Sequence, residues 1–441
     1  MTWLLSSLVA PAWLTQSWMG LSRVVTAGAI QRQLDRAAAV TPYAPDAGSL
    51  LYVAASALPY HMSGYVTRTH EVVCALRSAR PNVHVMTRPG YPWDRRDRLG
   101  ETDVETTQVE NLTYTHTRTP SNVRPVLQYA VQAARSVAQV AQRHRVAVIH
   151  AASNHVNALP ALLAARQLGI PFQYEMRGLW ELTRSARKPR YEESQGFRQG
   201  LQLEGLVASH ADRLFVISEQ LRCYAQAHWA IDAERVALLP NCVDPARFMP
   251  VDPLVVEPDT IGYAGSLISY EGLDTLIDAV GRLRRAGRRV TVSLIGHGEA
   301  EADLRAQVER AGLTDLILFM GRMPPAAARA ALARCALVCI PRKPFDVCRI
   351  VPPIKLVEAL ALGRPVVAAD LPVLRDEFGD RPAGWFFKAG DAADLARTLG
   401  QAFSDPAALT EMGARARQYA VSKRSWDTYV QDVLPSIEGG H

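Results

Sequence analysis

The stretch VPPIKLVEALALGRPVVAAD, residues 351–370, fixes the reading of the chain. Pro352 and Pro353 suit a helix start, where a proline nitrogen forfeits no hydrogen bond, and Gly363 suits a helix end because it accepts positive φ. Between them Ile354, Val357, Leu360 and Ala361 share the buried face of a short helix. Lys355 and Glu358, three residues apart, share another. The β-branched run at Pro365–Ala369 that follows at once reads as a buried strand. A helix handing over to a fully apolar strand is the grammar of a parallel sheet covered by helices.

The same grammar extends outward in both directions. Downstream, GWFFKAG (384–390) is a further strand and DAADLARTLGQAF (391–403) a helix. Upstream, DTIGYAGSL, VTVSLIGHG, LILFMG and ALVCIP read as strands separated by the helices LDTLIDAVGRLRRAG, EADLRAQVERAG and AAARAALARC. Before these, NCVDPARFMPVDPLVVEPDT (241–260) gathers four prolines without periodicity and reads as an inter-domain linker. The first half then repeats the pattern: LLYVAASAL, VHVMTR, VAVIHAAS, PFQYEMRG, RLFVIS and RVALLPN are strands, with helical spacing in YVTRTHEVVCALRSAR and ALPALLAARQLG. The expected organisation is an N-terminal extension (1–47), a first doubly wound, Rossmann-like domain (48–245), a second (246–424) and a terminal helix (425–441) that packs back on the first domain. Open α/β sheets bind ligands beyond the carboxyl ends of their strands, so function is sought in a cleft between the two sheets.

Composition narrows the class. The 441 residues exceed the size at which one core stops growing, and 48% hydrophobic with 21% charged residues is ordinary for a folded chain. A net charge of +6 from 49 basic and 43 acidic residues, without a long basic run, argues against a nucleic-acid partner. The six cysteines form no C-x-x-C pair and no zinc-ligand or disulfide framework, which fits a reducing, cytoplasmic setting. The opening MTWLLSSLVAPAWLTQSWMGLSR has no charge before Arg23, and Pro11, Gln16 and Ser17 weaken a spanning helix. Residues 1–25 are expected to form an interfacial or protein-packing helix, the first in peripheral contact with the inner face of the membrane, with a membrane anchor as the alternative.

A lysine near a helix N-terminus reinforces the free backbone amides there and favours a diphosphate; a carboxylate one turn later can accept two hydrogen bonds from a ribose diol. On spacing alone a solvated Lys355–Glu358 ion pair on a core helix is the more ordinary reading. Here the chain resembles retaining glycosyltransferase family 4. The run from Pro352 to Asp370 is similar to that family's C-terminal signature, GYAGSLISYEGLDTLIDAV (262–280) to its donor-domain opening, LIGHGEAEADL (294–304) to the next strand and loop, and PNCVDPARFMP (240–250) to its linker. SGYVTRTHEVVCAL, GYPWD, HAASNHVNALPALLAARQLGIPFQYEMRGLWE and the late SWD resemble a subgroup associated with bacterial exopolysaccharide assembly.

The resemblance implies a GT-B fold, two facing Rossmann-like domains with the acceptor on the first (48–245) and the donor on the second (246–424), and transfer with retention from a UDP- or GDP-type nucleotide sugar to a glycan or lipid-linked acceptor. It implies no cofactor, and the absence of a D-x-D run fits a site without metal. It makes Glu358 the ribose contact and sets Gly265, Ser266, Gly272 and Gly296 in the diphosphate loops, with Gly64 approaching from the other domain. The chain departs from the family at Ile350, where a sugar-binding glutamate is common, and at Ser266 and Glu271, where an arginine and a lysine are common. Arg342, Lys343, Arg349 and Lys355 are then the available cations. Ala152 stands where a second histidine is usual, leaving His155 or Asn154 as substitutes. Arg177 could lie over the substrates or pair with Glu175 or Glu181. Tyr65, Arg68, His70, Trp180 and Glu181 are the acceptor candidates. Two other readings remain: a nucleotide-sugar epimerase or glycan phosphorylase of the same architecture, and a binder without activity.

Overall fold

The computed structural model of the protein describes residues 25–35, 43–378 and 383–434. Eight strands form the first sheet: β1 (Asp46–Ala54), β2 (Val83–Thr87), β3 (Thr106–Val109), β4 (Leu112–Thr115), β5 (Val146–Ala152), β6 (Phe172–Met176), β7 (Arg213–Val216) and β8 (Val236–Leu238). Six form the second: β9 (Glu257–Ala264), β10 (Thr291–Ile295), β11 (Ile317–Gly321), β12 (Cys335–Ile340), β13 (Val366–Ala369) and β14 (Gly384–Phe387). The orders are β3-β4-β2-β1-β5-β6-β7-β8 and β11-β10-β9-β12-β13-β14. Every pairing is parallel except β3 with β4.

Each sheet reverses its strand order beside its first strand, the topology that opens a crevice for ligands at the strand ends. The central strands β12 and β13 are buried along their whole length, because helices cover both faces. This is why they read as unbroken apolar runs.

The hairpin β3–β4 was not legible. Its TTQVENLTYT is polar and half exposed, as an edge pair facing solvent should be, so it offers alternation without an apolar run. The chain passes between domains twice, through the linker before β9 and again after the helix Pro406–Lys423. The two crossings touch where Val243 pairs with Ser425. The helix Trp426–Val433 then lies against the helix Gly64–Ala79 of the first domain, with Trp426 Nε1 donating to Glu71 Oε2 at 3.2 Å.

Most of the predicted interfacial segment lies outside the described residues. Residues 25–35 are helical, and Ala27 and Ile30 are buried in the main core, so this part of the expected extension belongs to the globular body. No helix among the described residues is long and apolar enough to cross a membrane.

Candidate active site

A cavity of about 530 Å³ lies between the two domains, lined by Gly64, Tyr65 and Arg68 from the first and by Gly265, Ser266, Gly296, Lys355 and Glu358 from the second. The helix Ile354–Ala361 shapes one wall. Leu356, Val357 and Leu360 anchor it in the core, which leaves Lys355 and Glu358 on the cavity side.

The opposite wall is built by close approaches that exclude side chains. Gly296, at φ +138°, passes so near Gly265 that a Cβ would sit 1.9 Å from the Gly265 carbonyl oxygen. Gly272, at φ +72°, turns beneath Pro341, where a Cβ would meet that carbonyl at 1.9 Å. Gly272 does not face the cavity; its role is to let the chain turn.

The cations separate into two groups. Lys355 Nζ donates to Glu271 Oε2 and to Tyr263 Oη, each at 2.7 Å, and a Cβ on Gly265 would lie 2.9 Å from it. Arg342 binds the other oxygen of Glu271 at 2.9 Å and the Val351 carbonyl at 2.7 Å. Burial pushes the Glu271 carboxyl up, but Arg342 and Lys355 overcome it and hold the group at about 2. Glu271 is therefore a buried counter-ion to two cations rather than a ligand for the donor. Two cations thus share this one counter-ion beside the Gly265 loop. Lys343 and Arg349, expected among the phosphate-binding cations, lie outside the cavity. Lys343 pairs with Asp274 at 2.6 Å, and Arg349 bonds the Pro344 carbonyl at 3.3 Å.

Two arginines that sequence reasoning missed, Arg322 and Arg329, also line the cavity, and neither has an ion-pair partner among the described residues. Arg322 follows β11 directly, and its place at a strand's carboxyl end was the available signal. Burial pushes the Glu358 carboxyl up to about 7, against the pull of Arg329 and Lys355. Glu71 on the facing helix is likewise raised to about 7, first by burial and then by repulsion from Glu358.

A second cavity of about 540 Å³ opens on the first domain, lined by His61, Arg95, Asn122, Asn154 and Trp180. Trp180 is 64% exposed, leaving its ring face free. The two cavities share Ser63, Tyr65, Arg177 and Val351, so they meet at one point. Tyr65 is fixed there by a 2.6 Å bond from its hydroxyl to the Ser153 carbonyl.

Several candidates from the first domain serve as scaffold. Arg177 spends all its donors inside the protein, on both oxygens of Glu175, on Thr69, on the Tyr65 carbonyl and on Tyr52. Arg68 is likewise consumed by Glu175, Asn241 and the carbonyls of Leu239 and Pro240. Burial would raise Glu175, yet Arg177 and Arg68 hold it well below the ordinary carboxylate range. The two arginines are thus floor posts of the cleft, not free cations over a substrate. His155 is buried and bound to Glu204 through both its backbone nitrogen and Nδ1, at 2.9 and 3.1 Å, which removes it from the cleft. Glu181 is buried against Gly200, and His70 faces Tyr114 and Glu110 on the domain's other side. None of these three lines either cavity.

Two facing parallel α/β domains, with a glycine-lined loop and a helix start on one side of the cleft, define the GT-B class of glycosyltransferase folds. Within that class, residues 63–242 match the glycosyl transferase 4-like domain and residues 247–419 match glycosyl transferases group 1, so the chain is a GT-B glycosyltransferase family member built from those two domains.

It is 31% identical over 196 residues to 2-deoxystreptamine glucosyltransferase of Streptomyces kanamyceticus, covering 41% of this chain and 49% of that protein. It is 29% identical over 212 residues to phosphatidyl-myo-inositol mannosyltransferase of Mycobacterium leprae, covering 46% and 54%. The chain spans about half the length of these curated relatives. Among solved structures, HepE of Anabaena in complex with UDP superposes with a TM-score of 0.65 at 18% identity, covering 87% of this chain and 98% of that one. That likeness carries the fold alone.

Proposed function

We propose that the protein moves a sugar from a nucleotide-sugar donor of UDP or GDP type to a glycan or lipid-linked acceptor, with retention at the anomeric carbon and without a cofactor. The observation that carries this reading is the meeting of two cavities at Ser63, Tyr65, Arg177 and Val351: one has the chemistry of a nucleotide site, the other an exposed aromatic face suited to a sugar.

In this reading the diphosphate rests against the Gly265 and Gly296 loops with Lys355 beside it, Glu358 accepts from the ribose diol, and Arg322 and Arg329 add positive charge to the same cavity. Enclosure between the domains keeps water from the activated donor. The UDP held by HepE supports a nucleoside diphosphate as the donor's leaving group. Retention rests on the resemblance of the Pro352–Asp370 run and on the group 1 match. A role in exopolysaccharide synthesis at the inner face of the membrane, with residues 1–25 touching the lipid surface, belongs to the same proposal and rests on the sequence resemblance alone.

Incubation of the purified protein with labelled UDP-, GDP- and dTDP-sugars and lipid-linked acceptors tests it, with the anomeric configuration of the product read by NMR. Transfer with retention is expected. Products that stay nucleotide-linked would make the protein an epimerase, and nucleotide binding without turnover in any combination would make it a binder.

A further inference from the structure

Among the described residues, one cluster of metal-ligating side chains lies outside the cleft: His70, Cys74 and Glu110. The cysteine spacing alone gave no reason to expect it. His70 and Cys74 are four residues apart on the helix Gly64–Ala79 and therefore share a face. The edge hairpin supplies the third group, since the turn joining β3 to β4 holds Glu110 at φ +51° and brings its carboxylate over that face.

His70 Nε2 lies 3.2 Å from Glu110 Oε2 and 3.6 Å from Cys74 Sγ, and one ligand atom from each residue falls within 4.8 Å of the others. A tetrahedral zinc ion with Zn–N near 2.0 Å and Zn–S near 2.3 Å spaces neighbouring ligand atoms about 3.3 to 3.6 Å apart. The two shorter separations already match, and Glu110, exposed on its turn, can swing to complete the third.

The surroundings also orient the ligands. Tyr114 Oη stands 3.0 Å from His70 Nδ1; a proton on Nδ1 donated to that oxygen leaves the Nε2 lone pair pointing into the cluster. Arg247, in the inter-domain linker, donates to the other oxygen of Glu110 at 2.8 Å. A thiol, an imidazole and a carboxylate together select zinc-class transition ions over magnesium or calcium.

We propose that His70, Cys74 and Glu110 form a zinc-class metal site apart from the transfer cleft, with three protein ligands and a fourth position for water or an added ligand. The ion would clamp the edge hairpin to the helix Gly64–Ala79 and, through Arg247, tie both to the linker.

Chelator-treated full-length protein titrated with Co²⁺ alone tests this directly. One equivalent should bind with a thiolate-to-cobalt charge-transfer band in the near ultraviolet, and Zn²⁺ should displace it. Cys74→Ser should abolish the band, while Cys223→Ser, at an exposed cysteine elsewhere, should leave it unchanged. Glu110→Gln, on an exposed turn where folding is not at stake, should weaken Zn²⁺ binding by at least about tenfold. No band in the folded wild-type protein, a band that survives Cys74→Ser, or Zn²⁺ affinity untouched by Glu110→Gln would each overturn the assignment.

Discussion

Glu358→Gln separates the cost of the proposed donor site from its use. The carboxyl is pushed from its ordinary 4.5 up to about 7 by burial, with Arg329 and Lys355 only partly compensating. A folded-state pKa above the unfolded value means that the folded protein holds the proton more tightly. The group therefore costs nothing below about pH 4.5, and its penalty grows as pH rises to about 7 and is complete above that. At about 1.4 kcal/mol per unit the ceiling is about 3 kcal/mol, and because the residue is only partly enclosed about 1 to 2 kcal/mol is the working figure.

Removing the charge should then raise the melting temperature at pH 8 by about 2 to 8 °C and leave it unchanged at pH 4.5. Binding should move the other way. A hydrogen bond to a charged acceptor contributes about 1 kcal/mol more than a neutral one, and two are proposed to the ribose, so nucleotide affinity should fall about ten- to thirtyfold. Wild-type affinity should climb between pH 6 and 8 as the carboxyl ionises, and the variant's should stay flat. Thermal unfolding and calorimetric titration with UDP and GDP across that range read both effects. A variant that loses stability at pH 8 while binding nucleotide as well as wild type would refute the placement of this carboxylate in the donor cavity.

Lys355→Met should weaken a nucleoside diphosphate by about tenfold or more while leaving the bare nucleoside unaffected, because Arg342 still satisfies Glu271; isothermal titration with UDP against uridine reads the difference. Trp180→Ala should raise the acceptor KM with donor affinity and melting temperature unchanged, since the ring is largely exposed and supports no core. Glu175→Gln should cost about 3 to 5 kcal/mol in chemical denaturation, because it strands Arg68 and Arg177 without their counter-ion. In the wild type the Glu175 contribution, from a depressed carboxyl, should persist through neutral pH and fade only below the ordinary carboxylate range.

The strands and helices that build the cleft were readable because parallel sheets demand uninterrupted apolar runs, and all twelve runs read as strands from the sequence lie on strands of the two sheets. Glu358 and Lys355 could be placed on a common face for the same kind of reason, helical spacing between two fixed ends. What spacing cannot give is which charges cancel. Glu271, Arg342 and Lys355 are separated by 71 and 84 residues across their hydrogen bonds, so their mutual neutralisation emerges only when β9, β12 and the helix Ile354–Ala361 converge. Arg177 and Arg68 misled in the same way. Each sits at a strand end or helix face beside the cleft, yet a carboxylate two residues away in one case and 107 in the other consumes it. Arg322 carried a signal in its place at the end of β11, but sequence alone could not say whether it or Arg329 meets a carboxylate.

The short segment that leads into the donor helix explains how the two cavities can act together. From the first domain, Ser218 Oγ donates to the Ile350 carbonyl at 2.5 Å and Asn241 Nδ2 to the Pro352 carbonyl at 3.0 Å. From the second, Arg342 holds the Val351 carbonyl at 2.7 Å. Gly64 and Gly178 press on the same segment, and a Cβ on either would lie 3.1 Å from Ile354 or Val351. Residues 350–354 are therefore gripped from both domains, and Val351 lines both cavities. Any shift of the helix that carries Lys355 and Glu358 must move Val351 relative to Tyr65 and Arg177, because the floor beneath those residues is locked by the Glu175 cluster. A floor locked by the Glu175 cluster and a helix hung from one shared strap couple the two cavities through the relative position of the domains, not through any single side chain.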